Sequence, residues 1–206
     1  MGSHWKNPHC TSLASAKAIM GRNLIEPREL SHFGINPGDG RLEHLETLPC
    51  SEQFLRGRKD GFVLVPGYPL TLGDIILRVP ECIFAPACCP EKLGCKRKLP
   101  WFACAPFAKS RLRLRWHVLD KRKIELSKGP YLNNPHAAEL AYSVMLYYLC
   151  TGIKLFEDGY VKCREKDWLE GDLFIRWAPF GFGIFTDEFR RRDEKILTLQ
   201  SNLEAV

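Results

Sequence analysis

Ala137-Ala138-Glu139-Leu140-Ala141-Tyr142-Ser143-Val144-Met145-Leu146-Tyr147-Tyr148-Leu149-Cys150 is the stretch on which the fold turns. Wound as a helix, it places Ala137, Ala138, Leu140, Ala141, Val144, Met145, Leu146, Tyr148 and Leu149 around most of the circumference. A helix that is apolar on nearly all sides needs other elements around it, so it belongs at the centre of the molecule. Asn134-Pro135 opens it: Asn134 can accept from a free helical N–H, and Pro135 lacks a donor that would otherwise be orphaned. Gly152 ends it. Glu139, Tyr142 and Ser143 interrupt the run, which stays short of the ~18 apolar residues a membrane span requires. No membrane partner is expected.

The elements able to cover this helix lie on both sides of it in sequence. Phe62-Val63-Leu64-Val65, between Gly61 and Pro66-Gly67, is a continuous apolar run of strand length and suits a buried strand. Arg111-Leu112-Arg113-Leu114-Arg115-Trp116-His117-Val118 alternates, which predicts a strand with one cationic face and one core face. Further strands are expected at Tyr160 to Cys163, Leu173 to Trp177 and Phe182 to Phe185, with a turn at Pro179 to Gly181. Before residue 62 the signals are helical. A helix runs from Ser12 to Gly21, and a second starts at Pro27 and ends at Gly34. A third carries Leu42, Leu45 and Leu48, and a fourth is capped by Ser51. Thr71 caps a short helix over Leu72 to Val79. The fold class is α+β: a mostly antiparallel sheet, built from strands near 62, 112, 160, 173 and 182, packed on a central buried helix with a helical N-terminal segment. Residues 1–206 read as a single domain, with 1–12 disordered and 80–108 an irregular Cys/Pro-rich loop or insertion.

A hydrophobic fraction of 45% in 206 residues is enough for one sizeable core, and no repeat or low-complexity tract points to a fibrous or disordered chain. Met1 to Asn7 has no apolar core and no cleavage site, so it does not read as a signal peptide. A cytoplasmic address is expected. The net charge is +6, and it is uneven: Glu91 to Lys128 holds twelve Lys and Arg against Glu91, Asp120 and Glu125. That asymmetry points to an anionic partner.

Three constellations could carry chemistry. Arg111, Arg113 and Arg115 would lie about 7 Å apart on one strand face, close to the phosphate spacing of a nucleic-acid strand. Lys121, Arg122 and Lys123 extend the patch. The competing account is a solvated strand face paired with acidic neighbours. Cys82, Cys88, Cys89, Cys95 and Cys104 are the candidate ligands of a structural zinc, but none of their spacings makes a C-x-x-C knuckle, and buried thiols are the plainer account. His117, with Glu157 and Asp158, is the best base-and-orienter set. No nucleophile elbow, P-loop, H-E-x-x-H or dinucleotide fingerprint accompanies it. Dedicated cofactors are not expected, and the balance leans away from an enzyme.

Several short strings occur in a consistent order: Met20-Gly21-Arg22-Asn23, Ser31 to Pro37, Cys50 to Leu55, Val63-Leu64-Val65 with Tyr68-Pro69-Leu70, Asp74-Ile75, Trp101, Phe107-Ala108-Lys109 and Trp116-His117. Thr151-Gly152, Leu155-Phe156-Glu157 and Tyr160-Val161 complete the series. In that order the chain resembles a family of uncharacterised bacterial proteins from candidate-phylum and environmental genomes, over residues 17–190. The resemblance implies a shared fold and transfers no activity, and the segment from Cys82 to Cys104 has no counterpart in it. The functional expectation is a binding protein whose basic strand meets nucleic acid or another polyanion. The alternatives are an enzyme using His117 with a carboxylate, and a protein-interaction module.

Overall fold

The computed structural model describes residues 10–36, 42–80, 83–84, 101–121, 135–157, 159–167, 170–178 and 181–186. The architecture is α+β. The central helix α5 (Ala137–Thr151) has Ala137, Ala138, Leu140, Ala141, Tyr142, Ser143, Val144, Met145, Leu146 and Tyr147 all buried, as its all-round apolar character requires. Gly152 closes it at φ +71°, in the left-handed region.

Its start differs from the sequence expectation. The helix begins at Ala137, with His136 extended before it. The acceptor for its first amide comes from another element: Glu165 Oε2 takes a hydrogen bond from Ala137 N at 2.7 Å. Glu165 Oε1 lies 2.7 Å from His136 Nδ1. A carboxylate at the positive end of the helix dipole is favourable there. Asn134 lies outside the described residues.

Two antiparallel sheets flank α5, where one had been expected. The first pairs β3 (Phe62–Gly67) with β4 (Arg115–Asp120), in the register Val63↔Leu119, Val65↔His117 and Gly67↔Arg115. The second is β5 (Val161–Lys166), β6 (Asp172–Ala178) and β7 (Gly181–Thr186), in that order. A third ladder is minimal: β1 (Thr11–Ser12) with β2 (Thr47–Leu48). Thr11 and Ser12 thus fall in β1, and Thr11 Oγ1 donates to the Cys50 carbonyl at 2.6 Å.

Strand β3 is buried on both faces, which explains its unbroken apolar run, whereas β4 exposes Arg115 and Val118. Val63, Val65, His117 and Leu119 face the large core around α5. Leu64 belongs to a second cluster with Ala16, Met20, Leu24, Leu48 and Leu55, against which Phe62 and Trp116 also pack. That cluster holds the N-terminal helices α1 (Leu13–Met20) and α3 (Glu52–Arg56) on the ribbon. Between them in sequence lies α2 (Pro27–Ser31), entered through a Glu26/Glu29 capping box. The expected helix over Leu42, Leu45 and Leu48 is a single 3-10 turn, Leu42–Leu45, followed by β2. Pairing with β1 wins over the three-residue spacing there. Local caps hold as expected: Ser12 accepts from Ser15 N, Ser51 from Phe54 N, and Thr71 from Asp74 N at the start of α4 (Leu72–Ile76). The described part of 80–108 contains 3-10 turns at Trp101–Cys104 and Pro106–Lys109.

Candidate binding groove between β4 and α5

The expected strand Arg111 to Val118 is shifted. β4 starts at Arg115 and runs to Asp120, and 111–114 leads into it without strand pairing. Exposure still alternates through the lead-in: Arg111 and Arg113 are exposed and Leu112 is buried. The three arginines are therefore not one phosphate ladder on a single strand. Arg115 is committed elsewhere, to both carboxylate oxygens of Glu139 on α5, at 2.8 and 3.0 Å. Lys121 is half-buried. Its Nζ donates to Asn23 Oδ1 at 2.6 Å and lies 6.0 Å from the Tyr147 ring centroid, and burial pulls its pKa down. It serves as a tie between elements rather than an open cation. Arg122 and Lys123 lie outside the described residues.

Backbone direction along the ribbon follows from one hydrogen bond. Ile25 N donates to Leu64 O at 2.9 Å, so the Leu64 carbonyl points away from β4. Leu64 is opposite Val118. Facing residues in an antiparallel ladder either both point inward or both outward, so Val118 also directs its N–H and C=O away from β3. Trp116 and Asp120, two residues to either side, do the same. Segment 24–25 covers the outer edge of β3. On the outer edge of β4, no described residue pairs with the backbone of Trp116 or Val118. Val118 is also 51% exposed, one of three large apolar side chains so placed among the described residues.

A cleft of about 270 Å³ runs along this edge. Arg115, Trp116, His117, Val118 and Leu119 form one wall, and Pro135, Glu139, Leu140 and Ser143 form the other. The Arg115–Glu139 pair joins the two walls. Ser143 Oγ donates to the Glu139 carbonyl at 2.8 Å.

His117 lines the cleft yet is only 6% exposed. Its Nε2 is turned against Gly67, where it occupies the space a Cβ would need, and it has no hydrogen-bond partner among the described residues. Burial lowers its pKa, an effect partly opposed by the Glu139 carboxylate and reinforced by Arg115. The Arg113 carbonyl also favours a proton on the ring, without reaching hydrogen-bonding geometry with Nε2. Tyr142 packs beside it at 6.0 Å and donates to the Pro66 carbonyl at 2.7 Å. The adjacent Tyr68 hydroxyl is buried without a described partner, and burial pushes its pKa up to about 12. Glu157 pairs with Lys154 in the turn after α5, so the carboxylate acting on His117 is Glu139 and not Glu157. Glu139 was the residue to find in the sequence. It is the one charged side chain between Ala137 and Thr151, and a charge in such a helix calls for a cation.

Cys82, Cys88, Cys89 and Cys95 lie outside the described residues, and Cys104 ends a 3-10 turn. Among the described residues no group of three His, Cys, Asp or Glu is placed to hold a metal ion, and no helix is long and apolar enough to cross a membrane. No protein-family model, no curated protein and no solved structure matches the chain.

Proposed function

We propose that the protein is an interaction module that takes an extended polypeptide segment along the outer edge of β4, in the cleft closed on its other side by α5. One observation carries this reading: Trp116 and Val118 turn their backbone groups outward along that cleft. An edge of unpaired N–H and C=O groups is a template for an added strand. The usual defences of an edge are weak here: β4 has no proline and no bulge, and its outward-facing centre is Val118.

The acid–base reading of the same cleft is weaker. A general base must reach the proton it removes, and His117 keeps Nε2 against Gly67. The polyanion reading retains the exposed Arg111 and Arg113, while Arg115 and Lys121 are tied up in internal pairs. The resemblance to uncharacterised bacterial proteins adds no activity to choose between them.

The test is amide hydrogen exchange on the purified protein with and without a neutral alternating Val-Thr peptide. Slowed exchange at Trp116 and Val118, lost in Val118→Pro, supports the strand-edge reading. Unchanged exchange at both amides in the presence of saturating peptide overturns it.

A further inference from the structure

Resting on that strand-edge reading, we infer that the cleft beside β4 is a pocket for one side chain of the added strand, that of the residue opposite His117, and that it takes an aliphatic residue there. The position follows from the ladder. Trp116 and Val118 turn their backbone groups outward and frame His117. Residues opposite each other on neighbouring strands point to the same face of a sheet, whichever way the added strand runs. His117 faces the core around α5, so the residue set against it sends its side chain between β4 and α5, into the cleft. A residue set against Val118 points to the opposite face.

The walls set the class of side chain. At about 270 Å³ the cleft falls below the range usual for a small-molecule site and suits a single side chain. Leu119, Leu140 and Pro135 line it with hydrocarbon. Its polar groups are already engaged or turned aside. Arg115 and Glu139 hold each other at the mouth, Ser143 Oγ donates to the Glu139 carbonyl, and His117 keeps Nε2 against Gly67. An Asp or Lys side chain entering the cleft would give up hydration with no unengaged opposite charge among the lining residues to receive it, whereas Val, Ile or Leu would gain from leaving water.

The pocket also separates the candidate occupants of the edge. A two-fold axis would run two copies of β4 antiparallel, and outward residues must then meet outward residues. Two registers pair both Trp116 and Val118 with residues of a second β4, one centred on His117 and one centred on Val118. The first sets the second copy's His117 opposite His117, and the other sets the second copy's Leu119 there. Both side chains are buried in their own core, at 6% and 8% exposure, so neither can enter a neighbour's cleft. Single-stranded nucleic acid has no N–H and C=O ladder for Trp116 and Val118 and no aliphatic side chain for the cleft. A segment of another polypeptide meets both demands.

The experiment uses the full chain and peptides Ser-Thr-Ser-Xaa-Ser-Thr-Ser in which Xaa is Leu, Val, Gly, Asp or Lys. Amide exchange at Trp116 and Val118 is read at saturating peptide, and contacts of the Leu and Val peptide methyls with the protein are read by NMR. The expected result is that the Leu or Val peptide binds on the order of tenfold more tightly than the Gly peptide. The Asp and Lys peptides bind no better than the Gly peptide, and the Xaa methyls lie against Leu119 and Leu140. Equal affinity for all five peptides, with both amides protected, overturns the pocket and leaves the strand edge standing. Xaa methyls found against Val118 and not against Leu140 do the same. No protection by any peptide overturns both. Protection of both amides without peptide, in a protein that sediments as a dimer, overturns the inference in favour of a second copy. Polythymidylate displacing the Leu peptide overturns it in favour of nucleic acid.

Discussion

The Arg115 guanidinium holds both carboxylate oxygens of Glu139, at 2.8 and 3.0 Å, and so fastens the first residue of β4 to the first turn of α5. The pair spans the mouth of the cleft. It also accounts for the one charge in an otherwise apolar helix: half-buried Glu139 is neutralised by the Arg115 guanidinium, whose Nη2 meets both of its oxygens. Arg115→Ala and Glu139→Ala should each lower stability by about 1 kcal/mol. In a double-mutant cycle read by urea unfolding, the two losses should not add. Additive losses would mean that the contact contributes nothing.

Backbone direction in β4 can be tested without any ligand. Val118→Pro removes an N–H that faces away from β3, so it should cost far less than Leu119→Pro, which removes a ladder donor to β3. The inward substitution should cost about 3 kcal/mol or more. Circular dichroism and thermal unfolding of the two variants decide it. Equal damage would mean that the ladder is read in the wrong phase.

His117 predicts a pH dependence. Burial holds its folded-state pKa below the ordinary 6.5, although Glu139 pulls the other way. The unfolded chain then binds more protons than the folded one as pH drops through and below 6.5. Stability contributed by neutral His117 is present above that value and is lost as pH falls toward the folded pKa. Urea midpoints measured from neutral to mildly acid pH should decline, and the decline should be shallower in His117→Gln. Identical slopes would remove His117 as the cause.

Gly67 has no room for a side chain. A Cβ there would press on His117 Nε2 and sit 2.7 Å from the Arg113 carbonyl oxygen. Gly67→Ala should destabilise by about 1–3 kcal/mol. His117→Ala in the same chain should recover part of the loss, because the ring is one of the two obstacles. Thermal unfolding of the single and double variants shows whether it does.

Asn23 Oδ1 accepts from both Lys121 Nζ, at 2.6 Å, and Tyr147 OH, at 3.0 Å. Asn23 also donates to the Lys59 carbonyl at 2.6 Å. One amide thus joins the turn after α1, the end of β4 and α5. Asn23→Ala leaves the buried Tyr147 hydroxyl without its acceptor and should cost about 1–3 kcal/mol. A cost near zero would show that water replaces the amide at no loss.

Much of the site was legible one residue at a time and illegible as a constellation. His117 and Arg115 stood out because they alternate with apolar neighbours. Glu157 was the wrong carboxylate, since nearness in sequence to a turn says nothing of nearness to β4. Glu139 brings the acid to the cleft because α5 packs its first turn there. The outward direction of the Val118 backbone could not be read at all, because it depends on which residue of β3 lies opposite.

The sequence by itself determined what short-range physics controls. The all-round apolar surface of Ala137–Thr151 made α5 central. Ser12, Ser51 and Thr71 capped their helices, Gly152 ended α5, and the apolar run at Phe62 became a strand buried on both faces. These depend on dihedral preference, on hydrogen bonds three or four residues away, and on side-chain periodicity. Only the tertiary structure decided that Leu42 to Leu48 divides into a turn and a strand, that the strand holding His117 begins at Arg115, that Glu165 and not Asn134 meets the first amide of α5, and that the strands form two sheets instead of one. Each of those outcomes is a choice of partner across a long sequence separation. Competing partners with similar local propensity are separated only when the whole core packs around α5.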